Sequence, residues 1–118
     1  MFRLVNDMGF QMELNNGYTV SVMFSPFSYC SNSKFAKDYK NKLLGDRYEK
    51  FTECPNAETA VKDTVTGEFI PIDGEDVQGY QTVNELIVLI NKVRDYPNTD
   101  SKMEENRKNS IEKRKAKV

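Results

Sequence analysis

From Phe10 the chain alternates strictly, with Phe10, Met12 and Leu14 on one side and Gln11 and Glu13 on the other, the period of two that a half-buried strand requires. "NNG" at 15–17 breaks the run, and Asn-Gly supplies the positive φ values of a tight turn. The alternation then resumes, with Tyr18, Val20, Val22 and Phe24 against Thr19, Ser21 and Met23. The spacing therefore predicts a β-hairpin over residues 10–24. Pro26 has no N–H to give a ladder and ends the second strand. The following stretch, "SPFSYCSNS", reads as a loop, yet it carries Phe27, Tyr29 and Cys30 where polar turn residues would suffice.

Residues 34–52 are dense in Lys and Asp and place Phe35, Tyr39 and Leu43 at roughly helical spacing, with Tyr48 and Phe51 beyond Gly45. They read as a short helix or a mobile insertion. "AETAVKD" (57–63), a turn at "TVTG" (64–67) and "EFIPI" (68–72) predict a second hairpin, with Pro71 setting its last strand at an edge. Four strands are expected in all.

After the acidic residues Asp73, Glu75 and Asp76 comes "GYQTVNELIVLINKVRDYP". Thr82 followed three residues later by Glu85 is a capping box. Val83, Leu86, Ile87, Ile90 and Val93 form an apolar stripe at helical spacing, which should cover the sheet. Val88 and Leu89 widen that stripe beyond what one sheet face needs, so a second partner for the helix is expected. Pro97 stops it. The tail from 98 to 118 has Asp100 or Ser101 as its cap, acidic residues early and basic residues late, the charge order a helix dipole favours. Its large apolar residues, Met103, Ile111 and Val118, are too sparse for a lone helix. Contact with another protomer, with Met103 and Ile111 as weak knobs, is the simplest support for it.

The pattern gives an α+β core domain over 1–97, a small antiparallel sheet of two hairpins covered by an amphipathic helix, followed by a polar C-terminal helix over 98–118. A chain of 118 residues suits one domain. The net charge of −1 provides no overall positive field for nucleic acid or an anionic membrane. No stretch approaches the roughly twenty apolar residues that span a bilayer, and the N-terminus lacks the pattern of a secretory signal, so a cytoplasmic location is expected. Cys30 and Cys54 are the only cysteines, and without histidine they cannot complete a usual zinc site. Each is most simply a partly buried thiol, a disulfide between them being the minor reading.

The absence of histidine also excludes Ser-His-Asp and Cys-His nucleophile systems. "GEDVQG" at 74–79 lacks the Lys-Ser/Thr ending of a phosphate-binding loop. Asp73, Glu75 and Asp76 do not have calcium-loop spacing and read as a solvated loop. No enzyme, cofactor or metal is expected.

The order "NGYTVSV", "YCSN", "AETAV", "TGEFI" and "DVQGYQTVNELIVLINKV", over about residues 14–94, resembles small phage-encoded proteins. Within that setting, a small antiparallel sheet followed by two helices resembles the Thoeris anti-defence proteins, sponges for a cyclic ADP-ribose signal. The resemblance implies a counter-defence protein, acting in an infected bacterial cell, that sequesters a cyclic nucleotide without cleaving it, as a homodimer or larger assembly. It carries over no individual ligand-contacting residue.

Such a site needs an aromatic face for the base, cations for the pyrophosphate and small polar groups for the ribose. Phe27, Tyr29 and Asn32, then Tyr80 with Gln81, then Asn91, Arg94, Arg107 and Arg114 fit those roles. Each has a plainer reading: Phe27 and Tyr29 as a cap on the sheet end, Tyr80 as a staple against the helix, and the basic tail residues as a solvated helix end. The alternative function is a phage inhibitor that binds a host defence protein directly, of the anti-CRISPR or host-takeover type. Nucleic-acid binding by the basic tail is a third, less favoured reading.

Overall fold

The structure is a computed structural model that describes residues 1–5, 8–37 and 53–116, with side chains as far as 111. Five antiparallel strands form one sheet, β1 (Phe2–Leu4), β2 (Gly9–Glu13), β3 (Tyr18–Met23), β4 (Ala57–Asp63) and β5 (Val77–Gln81), in the spatial order β1-β2-β3-β4-β5. Two helices follow, α1 (Val83–Arg94) and α2 (Asp100–Ala116). A short 3-10 helix, Ser31–Phe35, lies in the connection between β3 and β4. The class is α+β, as the pattern predicts. Of the segment read as a helix or insertion, Tyr39, Leu43, Tyr48 and Phe51 lie outside the described residues.

The first hairpin forms in the predicted register, Phe10 opposite Val22 and Met12 opposite Val20, and Gly17 takes φ 92 in its turn. Val20 and Val22 join Val61, Ile72, Leu89 and Val93 in the core, with Phe10, Met12, Leu14 and Tyr18 packed around them. The opposite side of β3 is not solvated as strict alternation expects. Thr19 and Ser21 are buried there, because they are short, Ser21 lies opposite Ala60, and Thr19 Oγ1 bonds Thr64 Oγ1 at 2.7 Å.

The second hairpin is corrected by the structure. Its turn forms, with Asp63 Oδ1 accepting from the N–H groups of Val65 and Thr66 at 2.9 and 3.1 Å. The return limb makes only a stub, since Phe69 bridges Lys62 and Ile70 N–H reaches Val61 O. Pro71 cannot continue the ladder, and the chain turns away through Asp73 and Gly74, both at positive φ. The N-terminal half of β4 is then free to pair with β5, over residues that read as a lead-in to the helix. β1 is the other unforeseen strand, paired to β2 with Phe2 opposite Met12 and Leu4 opposite Phe10.

The capping box forms in both directions, Glu85 N–H donating to Thr82 Oγ1 and Thr82 N–H to Glu85 Oε1, each at 3.2 Å. The buried stripe of α1 is rotated from the expected one. Leu89 and Val93 are buried with Leu86 and Ile90 beside them, whereas Val83 and Ile87 are exposed. The cap of α2 is Thr99 in place of the expected Asp100 or Ser101: Lys102 N–H donates to Thr99 Oγ1 at 3.0 Å. Thr99 is fixed from outside the helix, because its own N–H donates to Asn16 O at 2.9 Å. The Asn16 amide in turn donates to Val93 O at 2.8 Å and Tyr96 O at 3.1 Å. Gly17 has no Cβ to meet Thr99 and Lys102. One hairpin turn thus clasps the end of α1 and the start of α2.

Candidate binding site

The loop after β3 is locked by small polar groups. Ser25 Oγ lies 2.9 Å from Ser28 Oγ and accepts from Phe27 N–H at 3.1 Å. The Cys30 thiol, fully buried, donates to Ser25 O at 3.3 Å. Burial pushes that thiol up to about 11, with the neighbouring Cys54 adding to the rise. Because Ser25, Ser28 and Cys30 turn inward, Phe27 and Tyr29 between them turn outward.

Tyr29 is held by its backbone. Its N–H donates to Glu58 Oε2 and its carbonyl accepts from Tyr80 N–H, both at 2.8 Å. Its Cβ sits where a side chain on Gly79 would be, 2.9 Å from the position a Cβ there would take. The register of β5 against β4 shifts between Ala57 and Thr59, so Gly79 and Tyr80 form a bulge. Tyr80 adopts φ 53, left-handed backbone that a bulky residue rarely takes. The rings of Tyr29 and Tyr80 are 62% and 54% exposed. Phe27, Tyr29 and Tyr80 thus crown the end of the sheet where β4 begins and β5 ends.

Asn32, in the same connection, is buried, its amide donating to Phe24 O at 2.8 Å and Glu53 O at 3.2 Å. The other sequence-predicted residues are elsewhere. Arg94 closes the last turn of α1, about 17 Å along the helix from its first residue, where it pairs with Asp95 at 3.6 Å. Asn91 is exposed one turn earlier. Arg107 is on α2, 3.9 Å from Glu104. Arg114 falls within the helical span of α2. Within one chain the rings and Arg94 are not brought together.

A groove that the sequence does not announce runs between α1 and β5. It encloses about 350 Å³, with Ile72, Val88 and Leu89 as an apolar floor and Gln78, Gln81, Asn84, Asp73, Glu85 and Lys92 around it. Gln78 Nε2 donates to Ile72 O at 2.9 Å, and Lys92 Nζ lies 3.9 Å from Asp73 Oδ1. Two carboxylates against one amine make it a poor seat for a pyrophosphate. Gln81 alone among these polar residues was placed by the sequence with the nucleotide-site candidates; Gln78 and Asn84 gain meaning only once β5 is known to pair. Among the described residues no group of three or more Cys, Asp or Glu side chains is placed to hold a metal ion. No described helix is long and apolar enough to cross a membrane.

Comparison with known protein families, curated proteins and solved structures found no match.

Proposed function

We propose that the protein is a non-catalytic binder of another protein, the direct-inhibitor alternative to nucleotide sequestration, and that it engages its target through the crown of Phe27, Tyr29 and Tyr80. The observation that carries this reading is the held exposure of two tyrosines. The backbone is bonded at both ends of Tyr29, and Tyr80 is kept at φ 53, so the rings are presented to solvent by a rigid frame. Rigid, exposed tyrosines are what protein interfaces use as anchors, because they bring area at small entropic cost. Strain of this kind persists where surrounding structure over-determines it, and it gathers at sites of function.

Sequestration of a cyclic nucleotide stands second, favoured by the three aromatic residues at one corner. It requires a second copy to bring Arg94 or Arg107 to them. The deciding experiment is affinity purification of the full chain from infected or uninfected bacterial lysate, in parallel with calorimetry against cyclic ADP-ribose isomers. The expected result is a stable bacterial protein that co-purifies with the parent, is lost with Tyr29→Ala and Tyr80→Ala, and no heat from the nucleotides. Tight binding with release of intact nucleotide on heating would replace this reading with sequestration. Conversion of the nucleotide to new products would overturn both.

A further inference from the structure

The solvent side of α1 is not a polar one. Between Glu85 and Lys92 the helix carries no charge, and its outward residues are Val83, Asn84, Ile87, Val88 and Asn91. Val83 and Val88 are 69% and 67% exposed. A helix covering one sheet face needs one apolar stripe, and Leu86, Leu89, Ile90 and Val93 already supply it. The flank with Glu85, Val88 and Lys92 borders the groove over β5. The flank with Val83 and Ile87 therefore looks toward the other edge of the sheet. There Phe2 and Leu4 stand on the core side by their register with Met12 and Phe10, yet they are 81% and 79% exposed. Edge strand and helix flank together make an apolar shoulder of a kind that soluble surfaces seldom leave uncovered.

We propose that this shoulder is an interface with a second copy of the same chain, α1 lying antiparallel to its counterpart across a twofold axis near Ile87 and Val88. The charges choose the direction. α1 has Glu85 in its first turn and Lys92 and Arg94 in its last. Parallel packing would set like charges together, whereas antiparallel packing sets Glu85 of each copy beside Lys92 of the other and opposes the helix dipoles. The uncharged amides are disposed about the same centre, so Asn84 of one copy meets Asn91 of the other. Phe2, Leu4, Val83, Ile87 and Val88 expose roughly 600 Å² between them, and the two asparagines bring the face near the ~800 Å² per partner of a standard interface. α2, on which the sequence placed the subunit contact, has its Met103 and Ile111 eight residues apart among charged neighbours. It offers far less.

Sedimentation equilibrium of the full chain tests this. The parent is expected at twice its 13.6 kDa mass at tens of micromolar, and Ile87→Lys with Val88→Lys at the single-chain mass. Both side chains are exposed, so that variant should still unfold in one cooperative melt, below the parent's only by what association adds, which excludes unfolding as the cause. Lys92→Glu should weaken association at least threefold. A parent of single-chain mass at about 100 µM overturns the proposal, even if it then pairs with a different protein. So does a doubled mass that survives the two lysines, or an association that Lys92→Glu leaves unchanged.

Discussion

Tyr80 shows what a single residue can contribute against its own backbone preference. Left-handed φ costs a residue with a Cβ on the order of 1 kcal/mol, and glycine nothing. Tyr80→Gly is therefore expected to leave the urea-unfolding free energy unchanged or raise it by up to ~1 kcal/mol, while weakening target binding at least tenfold. Equal loss of stability and binding would mean the ring is there for packing. Thr59 is the converse case. It is fully buried beside Val22, and its Oγ1 has no hydrogen-bond partner among the described residues. Replacing the hydroxyl by a methyl in Thr59→Val removes a desolvated polar group, and about 1 kcal/mol of added stability is expected in the same measurement.

Among the elements, the joint at 15–17 matters most to how the parts are held. Its sequence announced a hairpin, and its positive-φ glycine follows from that; its second task, gripping two helix ends, did not show in the sequence. Nothing in "NNG" says that the Asn16 amide will reach the carbonyls of Val93 and Tyr96, because those partners are 77 and 80 residues away. Asn16→Ala should cost about 1–3 kcal/mol, read as a lower urea midpoint, and should loosen α2 first, as faster amide exchange at Lys102 and Met103. The legible elements were those with a local signature: strict alternation in β2 and β3, the reciprocal Thr82–Glu85 cap, Pro97 as a stop. β1 is three residues long and β5 is bulged, so neither offers a period to read. The return limb of the second hairpin looked like a strand because "EFIPI" is apolar, but one missing N–H at Pro71 diverts it. The face of α1 was misjudged because seven of its twelve residues are large and aliphatic, and a stripe that wide does not say which side points in.

For the molecule as a whole, alkaline pH is the informative variable. Cys30 has an ordinary value of 9.0 and is pushed up to about 11 by burial. Tyr18 is raised from 10.0, first by burial and then by Tyr96, Asp100 and Asp63. Both groups stay protonated longer when folded, so their contribution is whole below the unfolded values and drains away as pH climbs through the folded ones. Unfolding free energy should fall between pH 9 and 11, and Cys30→Ala should flatten the first part of that fall. A steady value across the range would contradict the buried thiol. Of the candidate site, the aromatic members were visible as residues out of place in a loop, and Phe27, Tyr29 and Tyr80 do share a corner. That the Asn32 amide is committed to the carbonyls of Phe24 and Glu53, and that Arg94 lies at the far end of α1, depended on long-range pairing that the residue types do not encode.

Strands that pair in the order they occur along the chain need few distant meetings. Three of the four strand pairings are joined by connections of fewer than twenty residues, which favours quick assembly. The exception is the step from Met23 to Ala57. Its closure carries the largest entropic toll in the sheet, though one that grows only with the logarithm of the intervening length. Outside the hydrogen-bonded residues at 25–32 and 53–56, changes of length between those two strands therefore carry little thermodynamic consequence, while the pace at which the sheet completes itself is set there.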